Sequence, residues 1–173
     1  MRLAAAAILV LALVLVAACQ RDTDIAGERA TVAEVIDGDT LRLDDGRHVR
    51  LVQIDAPEPR DRECYGADAT AALVELAPEG TEVTLVRDGS LDNVDRFDRL
   101  LRYVFVGGRN LNIELVREGA AAPYFFDGDR GRYAVRLLDE AEDAREGGAG
   151  LWGACPETEL VPEREVDTGP ERL

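Results

Sequence analysis

The 173-residue chain contains no lysine: all 20 of its basic residues are arginine, set against 35 acidic residues, for a formal net charge of −15. That balance argues against a high-affinity, non-specific binder of nucleic acid, whose affinity rests on neutralising phosphates. It leaves room for an enzyme whose cleft is locally positive. A strongly acidic surface also suits a salt-rich medium, where repulsion is screened, and GC-rich codon usage explains the missing lysine equally well. One histidine, His48, excludes a histidine zinc cluster and offers no histidine nucleophile; it reads as a surface residue of a hairpin. Internal repeats are absent.

Cysteine is scarce too, with three in the chain. Met1-Arg2-Leu3 leads into an apolar run to Ala18 without a charge after Arg2, which reads as a secretory signal over residues 1–18 or as an uncleaved anchor. The run ends Val16-Ala17-Ala18-Cys19, which resembles a lipobox, so Cys19 is expected to carry lipid and tether the protein to a membrane. Cys64 and Cys155 then remain as an even pair in an exported protein, expected as a disulfide, with two free thiols as the alternative.

Residues 19–29 are polar and short, a tether before a domain at 30–155. Residues 30–36 and 40–43 have strand character, and the turn Asp44-Asp45-Gly46 leads into a third run at 48–54. A three-residue loop pairs Leu41 with Val49; a two-residue loop pairs Leu41 with Arg50. Apolar matching favours the first, and the pattern leaves both open. Residues 56–65 are irregular, 66–76 have helical spacing, 81–86 and 100–106 alternate as strands, and 112–118 and 133–146 read as helices ended by glycine. Leu151-Trp152 is expected to fold back on the core, and the proline- and acid-rich residues 156–173 to be a disordered tail. Five short strands with helices between and after them suit a small Greek-key barrel, mainly β with α.

The chemistry concentrates between Val35 and Glu58. Asp-Gly pairs at 37–38 and 45–46 are turn formers. Strand ends that close together bring Asp39 and Asp55 side by side. Two adjacent carboxylates repel unless something neutralises them, and a hard divalent cation is the usual answer. Arg50 and Glu58 complete a parts list for metal-assisted attack on a phosphate ester. Taken singly, both aspartates are ordinary turn residues; Asp37 reads as a turn residue or an outer partner.

The strings V-I-D-G-D-T-L, V-R-L-V-Q-I-D-A-P-E and D-R-F-D-R-L-L-R-Y-V-F, in this order from Ala30 to Cys155, resemble the staphylococcal nuclease family. The resemblance implies a five-stranded OB-fold Greek-key barrel with three helices. It implies Ca²⁺ held by Asp39, Asp55 and the backbone carbonyl of Ala56, where the family often has threonine. It implies Glu58 beside the attacking water, as general base or as a group that orders it, with Arg50 and Arg99 on the charged phosphate oxygens. Asp98 stands where the family usually has glycine, and Arg99 alone reads as a solvated strand arginine. Tyr124 and Phe126 match an aromatic pair around the base, or pack in the core. The implied protein is a monomeric, exported or membrane-anchored nuclease acting on DNA and RNA and leaving 3′-phosphate ends. An inactive nucleic-acid-binding barrel and a calcium-binding structural surface lipoprotein are the alternatives.

Overall fold

The computed structural model describes residues 25–171; the expected signal segment and Cys19 lie outside the described residues. Strand β1 (Glu28–Val35) serves two sheets. Its first half pairs antiparallel with β5 (Glu82–Val86), and its second half, past an irregularity between Val32 and Glu34, with β2 (Thr40–Leu43). A bulge of this kind bends the strand and lets one ribbon turn the corner of a barrel. β2 pairs with β3 (His48–Leu51), and β5 with β6 (Leu100–Val106). Parallel pairing of β3 with β6 closes the ring at five strands, the Greek-key OB-fold barrel expected from the sequence. The short β4 (Ile54–Asp55) pairs with β8 (Ala122–Pro123), and β7 (Arg109–Asn110) extends β6.

The hairpin has the register that apolar matching favours. Leu41 faces Val49, and Gly46 takes a positive φ of 87° in the turn. Both leucines of β2 and both apolar residues of β3 are buried. Helix α1 (Gly66–Leu76), α2 (Leu111–Arg117) and α3 (Ala134–Glu146) contribute Leu73, Leu111, Leu115 and Leu137 to the same core. A short helix, α4 (Leu151–Ala154), buries Leu151 and Trp152 as expected. The predicted disulfide links Cys64 to Cys155. Closing a segment of 91 residues stabilises by about 4–5 kcal/mol in the chain-entropy model.

Two expectations are corrected. The run 48–54 is not one strand: Gln53 adopts a left-handed φ of 67° and splits it into β3 and β4. Its amide ties down the following loop, donating to the Asp129 carbonyl at 2.8 Å and accepting from the Gly131 N–H at 2.6 Å. Nor are residues 156–171 a disordered tail. The Phe125 N–H donates to the Pro162 carbonyl, the Cys64 N–H to Gly169, and the Glu171 N–H to Arg62. Leu160 and Val166 pack beside Trp152 and the disulfide. Main-chain bonds and two apolar anchors hold a segment whose composition alone would leave it free.

Asp88, just past β5, fastens the barrel to the loop before α3. It is buried, and its carboxylate accepts from the N–H of Arg132 at 2.8 Å and from the N–H and hydroxyl of Ser90. Burial pushes its pKa up, but these donors outweigh it and hold the carboxyl at about 2. A depressed carboxylate contributes stability that is complete above the ordinary value near 4 and is lost as pH falls through about 2. Asp88→Asn is expected to cost about 1–3 kcal/mol at neutral pH, and the gap to wild type to shrink between pH 4 and 2. Urea unfolding across that range measures both.

Candidate active site

The site begins at the tight turn before β2. Gly38 is required there for close approach rather than for a positive φ: a Cβ would lie 2.6 Å from that of Ala56 and 3.0 Å from that of Ala69. With no side chain at 38, the turn presses against the end of β4. Asp37 caps it by accepting the N–H of Asp39 at 3.2 Å, which makes Asp37 a turn residue. Asp39 is then buried, with Oδ2 accepting the Ala56 N–H at 2.9 Å and Oδ1 the Thr40 hydroxyl at 3.0 Å. The Ala56 main chain therefore meets Asp39 through its N–H.

Arg50 stands opposite Thr40 in the hairpin and reaches back under the cleft. Its Nη2 lies 3.0 Å from Asp39 Oδ2 and 2.6 Å from Asp55 Oδ1; its Nη1 donates to the carbonyls of Leu51 and Ile54. One guanidinium thus joins the two carboxylates. Burial raises the Asp39 pKa to about 8 against the pull of Arg50, with Asp37 and Asp55 adding to the rise; burial also raises Asp55. Ionising both carboxylates against the single cation Arg50 would leave a negative charge uncompensated, which is why burial favours a proton on the pair; a divalent cation such as Ca²⁺ would take that proton's place on these hard oxygens. Among the described residues no three acidic, histidine or cysteine side chains close around one point. A cation here would be held by Asp39 and Asp55, with main-chain oxygen and water completing its shell.

Glu58 follows Pro57 on the loop leaving β4. Its N–H donates to Glu63 at 2.8 Å, while its half-buried carboxylate accepts no hydrogen bond from the described residues. Burial, then the charges of Asp37 and Asp55, raise its pKa. Gly66 sets its place, because a Cβ there would come within 2.8 Å of the Glu58 carbonyl carbon. Arg99 enters from the start of β6, with Nε on Asp95 at 2.6 Å and Nη1 at 3.4 Å from the Thr40 hydroxyl. It is therefore partnered rather than simply solvated. Asp98 has a φ of 62° and is exposed. A left-handed residue accounts for glycine as the usual occupant, and aspartate is among the residues that tolerate it.

Arg50, Arg99, Tyr124, Phe126, Phe97 and Glu165 line one cleft of about 470 Å³. Tyr124 and Phe126 meet edge to face at 6.4 Å and flank the buried Phe125, so the pair faces the cleft and the core is filled by its neighbour. Sequence reasoning missed Phe97, which is 63% exposed beneath Arg96 and Arg99. It also missed Gly66 and Val166, whose N–H donates to Asp55 Oδ2 at 2.8 Å. An exposed aromatic between two arginines was a readable signal for Phe97; a main-chain donor 111 residues from its acceptor leaves none. Because Arg50 alone compensates two buried acids, Arg50→Met is expected to destabilise by about 3–5 kcal/mol. Adding Asp55→Asn should recover part of that loss, since it removes a charge left without a partner; urea unfolding of both variants is the check.

Comparison with known proteins agrees with this geometry. The model described as "Staphylococcal nuclease homologue" matches residues 48–154. The chain is 30% identical over 137 residues to the "Thermonuclease" of Staphylococcus intermedius, covering 75% of this chain and 79% of that protein. It is 32% identical over 148 residues to an "Uncharacterized endonuclease" of Haemophilus influenzae, covering 83% and 75%, and 34% identical over 140 residues to "Protein ParB" of Escherichia coli, covering 72% of each. The closed barrel, the residues gathered around Arg50 and these similarities together place the chain in the staphylococcal nuclease family.

Proposed function

We propose that this protein is an exported, calcium-dependent nuclease that hydrolyses phosphodiester bonds in DNA and RNA and leaves 3′-phosphate ends. The observation that carries the reading is the meeting of Asp39 and Asp55 at Arg50, with a Glu58 carboxylate on the adjoining loop that has no hydrogen-bond or ion-pair partner among the described residues. Bound at Asp39, Asp55 and the main-chain oxygen of Ala56, Ca²⁺ would supply a Lewis acid for the scissile phosphate. Glu58 takes a proton from water as the water oxygen bonds to phosphorus. Arg50 and Arg99 are permanently charged and stabilise the oxygens that gain charge. The bond from phosphorus to the 5′-oxygen breaks, and that oxygen acquires a proton. Tyr124 and Phe126 offer π-faces to a base at the cleft, a contact tolerant of sequence.

Glu58→Gln keeps size and hydrogen-bonding shape but cannot accept the proton. It is expected to lower kcat by roughly 10²–10⁴-fold. Asp39→Ala should instead abolish the rise in Tm that wild type shows on adding Ca²⁺. Cleavage assays on single- and double-stranded DNA and on RNA, with a chelator control, test the reading; wild type that leaves all three uncut across a wide salt range would refute it.

The same proposal places the protein at a membrane as a monomer, anchored through lipid on Cys19, or secreted if the signal is cut elsewhere. Cys19→Ser is expected to move the protein from the detergent phase to the aqueous phase in a partition experiment. Recovery of unmodified wild type with an N-terminus beyond Cys19 would rule out anchoring.

A further inference from the structure

The segment after the disulfide is tied to one residue at both ends. It leaves from Cys155, bonded to Cys64, and returns where the Cys64 N–H donates to the Gly169 carbonyl at 2.8 Å. Between these points it crosses to the cleft, where Pro162 receives the Phe125 N–H at 2.6 Å and the Val166 N–H reaches Asp55. Val166 and Thr168 turn inward and are buried, while Glu165 and Asp167 alternate outward and are exposed, after a turn that leaves Glu163 and Arg164 exposed. Period-two alternation along an extended segment requires this: with Val166 fixed on Asp55, Glu165 cannot turn into the core. Residues 162–169 therefore form a strap that carries a row of carboxylates along the edge of the cleft.

Glu165 is the member of that row that lines the cleft, together with Arg50 and Arg99. Glu163 has Arg130 as a partner at 3.3 Å, whereas Glu165 enters no ion pair among the described residues. Of the three arginines lining the cleft, Arg50 is engaged with Asp39 and Asp55 and Arg99 with Asp95, while Arg96 lies over the ring of Phe97. The charge of Glu165 is felt both at Asp55 and at Tyr124. A polyanion entering the cleft meets a carboxylate that no ion pair among the described residues neutralises.

Resting on the nuclease reading, we propose that Glu165 is a specificity-determining residue: held over the cleft by the strap, it opposes polyanionic substrate and makes binding depend on screening by salt. Like charges a few ångströms apart across water interact by about 1 kcal/mol, so one such residue changes affinity several-fold. The effect is local. Neutralising a nearby acid off the strap alters the net charge equally without touching the cleft; Glu159, paired with Arg164 and outside the cleft lining, provides that control.

The test is equilibrium binding of a fluorescein-labelled single-stranded oligothymidylate, read by anisotropy in Ca²⁺, with full-length protein carrying Glu58→Gln to slow cleavage. On that background Glu165→Gln is expected to lower Kd by roughly 3–10-fold at about 0.02 M salt. Glu165→Arg should lower it further, Glu159→Gln should leave it unchanged, and the differences should contract towards unity near 1 M salt, where the Debye length is about 3 Å. Equal Kd values for Glu165→Gln and its parent at low salt overturn the proposal and leave the nuclease reading standing. An equal gain from Glu159→Gln also overturns it, since net charge would then suffice. Failure of every variant to bind the oligonucleotide overturns the nuclease reading and this proposal together.

Discussion

Two carboxylates from different strand ends, Asp39 and Asp55, are buried against a single guanidinium, and much of the barrel's upper edge depends on that arrangement. An ion withdrawn from water loses several kcal/mol of solvation unless a partner of good geometry restores it. Arg50 provides that partner while also binding the carbonyls of Leu51 and Ile54, so it fastens the end of β3 to the short β4. The close turn at Gly38 sets Asp39 against Ala56, and the left-handed Gln53 separates β3 from the short β4 that carries Asp55. The resulting charge imbalance makes the place suitable for a further cation.

The chain's net charge of −15 and its family sit together once the arginines are located. Arg42 lies on Glu34, Arg47 on Glu28, Arg117 on Glu140 and Arg132 on Asp88. These cations are neutralised by the protein's own acids and present no basic face to a phosphate chain. What positive charge the cleft can offer comes from Arg50, Arg96 and Arg99. Long-range steering is then weak or adverse, and recognition rests on contacts formed after encounter.

Much of this was legible in the sequence, for reasons that differ by element. Strict apolar alternation at Leu41, Leu43, Val49 and Leu51 showed which faces are buried and favoured the Leu41–Val49 register, which the hairpin adopts, without deciding it. Helix α1 and the disulfide were visible in spacing and in cysteine parity. Gln53 was not: it sits within a run of β-rich residues, and its left-handed backbone is maintained by distant partners at Asp129 and Gly131. The order of residues 156–171 was hidden because acid and proline content describes solvation, whereas this segment is held by main-chain bonds to Phe125, Cys64 and Asp55. Of the site, the residue types were readable and their mutual contacts were not.

The bond from Val166 to Asp55 spans 111 residues, and that distance has a consequence for biosynthesis. Strands, helices and the guanidinium between the aspartates all come from residues made earlier than Val166. A chain still emerging from the ribosome, or one clipped before the strap, can close the barrel yet leave Asp55 without its second partner. A residue translated late thus completes the partners of a carboxylate made 111 residues earlier, so maturation of the site waits at least until Val166 is made.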